Sequence, residues 1–164
     1  MKETLVIIAP EYKETFAPII FLAGPIQGAE DWQSQAIEII HRLNPEVVIA
    51  SPRRPQFSKD FHYEEQVNWE SHFLNEAGEN GVIIFWLAKE SEPIPGRSYA
   101  QTTRAELFEW KERHIYKDAK LVIGIQDGFT GDRYIKMRLG QDCPDITIHS
   151  TLEDVCRDAL SQIS

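Results

Sequence analysis

Short apolar strands alternate with amphipathic helical segments along the chain, and this alternation restricts the fold more than any other feature. Six runs rich in β-branched residues are predicted as strands: 4–10, 18–25, 46–51, 81–88, 119–125 and 145–150. Strands that alternate with helices form a parallel sheet covered by helices on both faces. The pattern therefore predicts an α/β three-layer sandwich, with residues 1–164 forming a single domain.

Between the strands, helical spacing of apolar residues predicts helices at 30–43, 64–77 and 103–114, with a short helix at 132–139. An S-x-x-E capping box at Ser150 and Glu153 is predicted to open a terminal helix. In parallel sheets, ligands bind beyond the carboxyl ends of the strands, near the reversal in strand order. We therefore expect the functional residues in the loops that begin "GPIQG", "SPRRP", "KESEP" and "GIQDGF".

The charge balance argues against a nucleic-acid polymer as partner. Seventeen basic and twenty-six acidic side chains give a formal charge of −9, whereas nucleic-acid affinity depends on neutralising many phosphates. The one dense basic spot is Arg53-Arg54, which could meet a single phosphate. A small ligand is the predicted partner.

Two cysteines, Cys143 and Cys156, lie outside any C-x-x-C motif, so neither a disulfide framework nor a cysteine zinc site is expected. The five histidines form no H-x-x-x-H or H-E-x-x-H pattern, and we predict no metal. No apolar run approaches the roughly 20 residues that span a bilayer. Membrane association is not expected, and cytoplasmic location is the default prediction.

The segment "FLAGPIQGAEDW" (21–32) ends a strand and opens a helix with Gly24 and Gly28. Backbone N–H groups at such a turn can bind a phosphate or a sugar hydroxyl. The segment is neither G-x-G-x-x-G nor a P-loop. The glycines could equally serve only to permit a tight turn.

Glu70 stands on the apolar face predicted for the helix at 64–77, in register with Val67, Leu74 and Ala77. A charge in such a place is costly unless it is paired, exposed or protonated. One interpretation puts Glu70 at the edge of the face, paired with an arginine such as Arg54. The other has the helix line a ligand pocket, with Glu70 facing into it.

Glu106 also has two interpretations. Thr103 to Glu106 spell T-x-x-E, a capping box in which the glutamate only bonds the backbone at the helix start. A carboxylate placed just after the loop at 88–98 could instead be a nucleophile. In that loop region, Tyr99 is our first choice among the aromatic residues for ligand contact, because planar bases stack on aromatic rings.

Three segments resemble the nucleoside 2-deoxyribosyltransferase-like family: "IFLAGPIQG", "VNWESHFLNEAGENGVIIFWLA" and "SYAQTTRAELFE". The resemblance covers roughly residues 18–150, and the T-T-R-x-E-L segment is its most specific part. It implies a flavodoxin-like (Rossmann-like) fold with a mainly parallel five-stranded sheet. It also implies cleavage of the N-glycosidic bond of a 2′-deoxynucleoside or its 5′-monophosphate, with no cofactor.

The resemblance assigns roles to residues of this chain. Glu106 takes the position of the catalytic nucleophile, and Glu70 that of the acid that assists the base or the sugar hydroxyls. The turn formed by Gly24, Pro25, Gln27 and Gly28 would hold the sugar or its 5′ end. Arg53 or Arg54 is the candidate for a 5′-phosphate. We further predict that Glu106 faces the cleft and that the hydroxyl of Thr102 or Thr103 caps the helix.

Transfer of deoxyribose to another base and hydrolysis by water share their first half-reaction, and the sequence does not separate them. Two other hypotheses stay open: a non-catalytic nucleotide-binding or sensing module on the same fold, and an N-glycosidase for another ribosyl donor. Family enzymes often complete the site with residues of a neighbouring subunit, so a homo-oligomer is an expectation from the resemblance.

Overall fold

A computed structural model describes residues 5–56 and 60–163. The strands are β1 (Val6–Ile8), β2 (Ile19–Ala23), β3 (Val48–Ser51), β4 (Gly81–Leu87), β5 (Leu121–Ile125) and β6 (Ile148–His149). The helices are α1 (Trp32–Leu43), α2 (Tyr63–Glu79), α3 (Gln101–Lys117), α4 (Asp132–Asp142) and α5 (Leu152–Ile163). Residue 4 of the first predicted strand and residues 57–59 of the loop after β3 lie outside the described part of the chain.

The described strands form one sheet in the order β1-β3-β2-β4-β5-β6, and all of its pairs are parallel. Without β1, the order of the other five is 2-1-3-4-5, the flavodoxin-like arrangement. The predicted α/β fold is confirmed, and the sheet has six strands, as the six apolar runs predict; the count of five implied by the resemblance is wrong. The chain adds β1 at the edge beside β3, where Val6 pairs with Ile49.

Helices cover both faces of the sheet, so the central strands are buried on both sides. In β2 the residues alternate: Ile20 and Leu22 belong to the core beneath α1 and α5, whereas Phe21 belongs to the core beneath α2 and α3. The core beneath α2 and α3 contains the fully buried ring of Trp69. No helix in the described ranges combines the length and hydrophobicity needed to cross a bilayer.

Two predicted helix starts are wrong. Helix α3 begins at Gln101 after Ala100, whose left-handed backbone (φ 57°) forms the N-cap without a side-chain hydrogen bond. The predicted hydroxyl cap by Thr102 or Thr103 is therefore absent, since both residues lie inside the helix. At α5 the backbone N–H of Asp154 donates to the hydroxyl of Thr151 at 3.2 Å, so the cap lies one residue after the predicted Ser150.

The buried face of α2 also differs from the predicted one. Trp69, Phe73 and Ala77 are buried, with Leu74 beside them, whereas Val67 is 38% exposed. The buried face of α2 is shifted one residue toward the N-terminus from the predicted face, because the large ring of Trp69 packs into the core. Glu70 is consequently turned away from the centre of the core.

The strand order reverses between β2 and β4. The chain leaves β2 toward β3 on one side and reaches β4 on the other, so the connections after β2 and β4 diverge. Such a divergence opens a crevice beyond the carboxyl ends of the two strands. The glycine turn (24–28) follows β2 and the long loop at 88–100 follows β4, so both border this crevice.

Candidate active site

A cleft of about 600 Å³ lies at this crevice, a volume typical of small-molecule sites. Its walls come from the glycine turn, α2, the 88–100 loop and the start of α3. Seven of the predicted site residues line it: Gly24, Pro25, Gln27, Gly28, Glu70, Tyr99 and Glu106. The eighth, Arg54, is not among the described lining residues and lies behind Gln66.

Gly24 is required at the end of β2 by close packing. A Cβ atom there would overlap the carbonyl oxygen of Trp86 and the indole ring of Trp32. The same indole fixes the next residue, because Trp32 Nε1 donates to the carbonyl of Pro25 at 2.9 Å. The turn is therefore held rigidly against the sheet.

Gly28 joins the turn to the 88–100 loop. Its φ of +80° favours glycine, and its carbonyl accepts hydrogen bonds from the N–H groups of Ser91 (2.8 Å) and Glu92 (3.1 Å). A Cβ atom at this position would also touch the ring of Tyr99 at 3.5 Å. The two loops thus form one continuous wall of the cleft.

Arg53 stabilises the same turn from the outside. Its guanidinium donates to the carbonyls of Ile26, Ala29 and Glu30 and to Oε1 of Gln33, and its Nε lies 3.6 Å from Asp31 Oδ1. A guanidinium carries five N–H donors in a fixed planar arrangement. These contacts engage all three of its nitrogens, so the structure assigns Arg53 to supporting the turn.

Tyr99 presents its ring to the cleft, while its hydroxyl is engaged elsewhere. The hydroxyl donates to the carbonyl of Ala88 at 2.6 Å. Burial, reinforced by the negative charge of Glu90, raises the pKa of Tyr99 to about 12. The phenol therefore stays protonated at neutral pH, and the aromatic face is what Tyr99 offers to a ligand.

Glu70 projects from α2 into the cleft and is held by its neighbour one turn earlier. Its Oε1 accepts a hydrogen bond from Nε2 of Gln66 at 3.0 Å. Burial raises the pKa of Glu70, while the Gln66 hydrogen bond and the charge of Arg54 act in the opposite direction. One carboxyl oxygen is thus positioned by the protein, and the other is available to a ligand.

Gln66 links Glu70 to Arg54, and sequence reasoning missed it. Arg54 Nε donates to Gln66 Oε1 at 2.7 Å, which leaves the amide NH₂ of Gln66 for the carbonyl of Pro52 (3.0 Å) and for Glu70. Arg54 also pairs with Glu65 at 3.2 Å, and its side chain is only 8% exposed. The spacing of Gln66 and Glu70, at i and i+4 of a helix, was the available signal.

Replacing Gln66 with Leu is expected to lower the free energy of unfolding by about 1–3 kcal/mol, because Arg54 and the Pro52 carbonyl would lose a buried partner. It is also expected to weaken ligand binding, since Glu70 would lose its support. Thermal or urea unfolding and ligand titration measure both effects. Gln35→Leu, at an exposed position of α1, is the matched control; equal effects at both positions would contradict the linking role.

Glu106 faces the cleft from the second turn of α3 and accepts no hydrogen bond from the described residues. In particular, none joins it to the backbone of Thr103, which the capping box requires. Burial is the main cause that raises the pKa of Glu106 to about 8, and the charges of Glu70 and Glu109 add to it. The capping interpretation of Glu106 is therefore wrong.

Together, Glu70 and Glu106 form a carboxyl pair that interacts electrostatically within one cleft. When two carboxyl groups interact this way, the pair holds a proton over a wide pH range. Near neutral pH it thus contains both a potential acid and a potential base or nucleophile. Two further charged residues that sequence reasoning missed, Glu90 and Arg97, line the cleft from the 88–100 loop.

Comparison of the sequence with known protein families gives a match over much of the chain. A family model described as "Nucleoside 2-deoxyribosyltransferase like" matches residues 17–129, more than half of the chain. The matched range contains the glycine turn, both cleft carboxyl groups and the loop between β4 and α3. No curated protein sequence matches the chain.

Proposed function

Because the chain belongs to the nucleoside 2-deoxyribosyltransferase-like family, we propose that it cleaves the N-glycosidic bond of a 2′-deoxynucleoside or its 5′-monophosphate. The deoxyribosyl group passes to Glu106 and then to another base or to water. The observation that carries this proposal is Glu106 itself, a carboxyl group that lines the cleft beside Glu70 without an internal hydrogen-bond partner among the described residues.

In the first half-reaction, an oxygen of the Glu106 carboxylate forms a bond to C1′ as the bond from C1′ to the base nitrogen breaks. The electron pair of the broken bond goes to the base, which takes a proton from Glu70. Positive charge that develops at C1′ is stabilised by the carboxylate beneath it. The product is a glycosyl ester on Glu106 and a neutral free base.

In the second half-reaction, a nitrogen of a second base or the oxygen of water attacks C1′ and displaces Glu106. The attacking group loses a proton, which returns to Glu70. Glu70 therefore acts as acid and then as base, while Gln66 keeps its carboxyl group in place. The ring of Tyr99 and the turn at 24–28 would hold the base and the sugar.

The competent form of the pair carries one proton, which must move to Glu70 before Glu106 can attack. Before substrate binds, the raised pKa of Glu106, about 8, favours that proton on Glu106. Transfer within the pair generates the nucleophile and the acid together. A form with both groups ionised has no proton for the base, and a form with both protonated has no nucleophile.

This requirement predicts a bell-shaped dependence of kcat/KM on pH. Activity is expected to fall above about pH 8, where the pair loses its last proton. It is also expected to fall at acidic pH, where the pair takes up a second proton and has no carboxylate left to attack C1′. The pKa of Glu70, raised above its ordinary value of 4.5, sets this acidic limit. Initial rates between pH 4 and 10 measure the profile. A rate that keeps rising through pH 9 would show that the base does not take its proton from this pair.

The function is tested by incubating the protein with deoxynucleosides and their 5′-monophosphates, with and without a second free base, and separating the products by chromatography. New deoxynucleoside formed by the wild type but not by Glu106→Ala supports transfer. Free base without exchange supports hydrolysis. If both proteins are inert and nucleotide binding survives Glu106→Ala, the enzyme proposal fails in favour of a binding or sensing module; cleavage of a different ribosyl donor would indicate another N-glycosidase.

Two expectations complete the proposal. Homo-oligomeric assembly stays a prediction from the family resemblance. Cytoplasmic location also stays a prediction from the sequence. Size-exclusion chromatography with light scattering measures the first directly.

A further inference from the structure

We propose that the cleft selects a 2′-deoxynucleoside that carries a free 5′-hydroxyl, in preference to its 5′-monophosphate. This inference rests on the proposed function and deepens it by naming the substrate class. Three sets of contacts support it: the charges that line the cleft, the engagement of the neighbouring arginines, and the cap of α1.

Carboxyl groups outnumber cationic groups on the described part of the cleft wall. Glu70, Glu90 and Glu106 line it, and Arg97 is the cationic side chain among the described lining residues. At neutral pH the Glu70–Glu106 pair keeps one proton, so two negative charges, one on the pair and one on Glu90, face the single positive charge of Arg97. A phosphate monoester carries a charge between −1 and −2 at neutral pH and therefore meets net repulsion in this partly desolvated cleft. A neutral hydroxyl meets none and can donate a hydrogen bond to a carboxylate, which accepts only.

The two arginines beside the turn are already occupied. Arg53 directs its donors to carbonyls of the turn, to Gln33 and toward Asp31. Arg54 donates to Gln66 and Glu65, and its guanidinium lies 5.0 Å from the centre of the Phe61 ring. Binding a phosphate with either residue would break contacts that hold the turn or support Glu70. The basic spot in the sequence is therefore structural.

The N-terminus of α1, which follows the glycine turn, already holds an anion. Asp31 is its N-cap: its carboxylate accepts from the backbone N–H of Ser34 at 3.1 Å and from the Ser34 hydroxyl at 2.7 Å. A helix N-terminus attracts phosphate through free N–H groups and its positive dipole. Here the Asp31 carboxylate uses that attraction and adds negative charge next to the turn.

The test compares kcat/KM for one deoxynucleoside and its 5′-monophosphate, with the same base and the same acceptor. We expect the wild type to prefer the nucleoside by about tenfold or more. Glu90→Gln removes one negative charge from the cleft wall while keeping side-chain size. It should lower the ratio of kcat/KM for the nucleoside to kcat/KM for the monophosphate. Glu38→Gln removes the same charge from an exposed position of α1, and should leave the ratio unchanged.

An equal or higher kcat/KM for the monophosphate, or a ratio of the two kcat/KM values that Glu90→Gln and Glu38→Gln change equally, would overturn the inference. If neither compound is turned over, the proposed function fails, and calorimetric titration of the same two compounds then tests the selectivity alone. Tighter binding of the nucleoside would support the inference in that case, and tighter or equal binding of the monophosphate would overturn it.

Discussion

Replacing Glu106 with Gln is expected to abolish glycosyl transfer and, at the same time, to make the protein more stable at neutral and alkaline pH. The amide keeps the size of the carboxyl group but cannot form the ester with C1′. Loss of a covalent nucleophile lowers kcat by roughly 10³-fold or more. Activity should therefore fall to the background of the assay.

The gain in stability follows from the raised pKa of Glu106. Its value is 4.5 in the unfolded chain and about 8 in the folded protein, so between these values the folded state binds more protons than the unfolded state. Stability then falls as pH rises through this window, by about 1.4 kcal/mol per pH unit. At pH 7 the burial of Glu106 costs roughly 3 kcal/mol by this reasoning, and Gln removes the cost.

Urea unfolding of both proteins at pH 5, 7 and 8 measures the difference. The variant should gain little at pH 5 and most at pH 8, because the penalty on the wild type grows with pH. Glu38→Gln, on the exposed side of α1, should change the free energy of unfolding by no more than about 0.5 kcal/mol. A Glu106→Gln protein that is inactive and also less stable at pH 8 would show that the carboxylate makes favourable contacts in the folded state.

Most of the fold could be predicted from the sequence because it depends on local pattern. Buried parallel strands show as continuous β-branched runs, as in "GVIIFWLA" before the 88–98 loop, and their alternation with helices leaves few topologies. All six strands were predicted from this local pattern, although the family resemblance implied only five. The place of the first strand in the sheet could not be predicted in the same way, because it pairs with β3 across about 40 residues of sequence, with Val6 opposite Ile49, and such pairing leaves no local signal.

The position of the candidate site could be predicted as far as residue type and spacing allow. Glu70 and Glu106 both line the cleft into which they were expected to face, but their surroundings depend on contacts between distant segments. Ala100 became the cap of α3 through its left-handed backbone rather than through a capping side chain. Arg53 looked like a phosphate ligand, yet the folded turn presents enough carbonyls to engage its guanidinium. Which groups a side chain such as Arg53 bonds depends on contacts that exist only in the folded chain.

Replacing Glu70 with Gln is expected to lower kcat/KM by roughly 10²–10³-fold for a deoxynucleoside with an ordinary base, because the departing base loses its proton donor. The size of the loss should depend on the leaving group. A substrate whose base leaves as a stable anion needs no proton, so its rate should fall much less. This dependence distinguishes an acid from a residue that only shapes the cleft.

The same substitution is expected to change the pH profile. The charge of Glu70 contributes to the raised pKa of Glu106, so its removal should lower that pKa from about 8 while burial keeps it above 4.5. With the activated substrate, the variant should gain activity as Glu106 ionises and then reach a plateau, without the alkaline decline of the wild type. The bell-shaped pH profile of the wild type should thus become, in Glu70→Gln, a single rise of activity with pH.

Glu79→Gln, at the exposed end of the same helix, is the matched control. It should keep both the kcat/KM and the bell-shaped pH profile of the wild type. Equal losses for ordinary and activated substrates in Glu70→Gln would contradict the acid role and assign Glu70 to binding the sugar. An alkaline limb that persists in Glu70→Gln would mean that the proton for the base comes from another group in the cleft. A plateau reached below pH 8 would instead identify the two carboxyl groups as one coupled unit, in which Glu70 both supplies the proton and sets the pH at which Glu106 attacks.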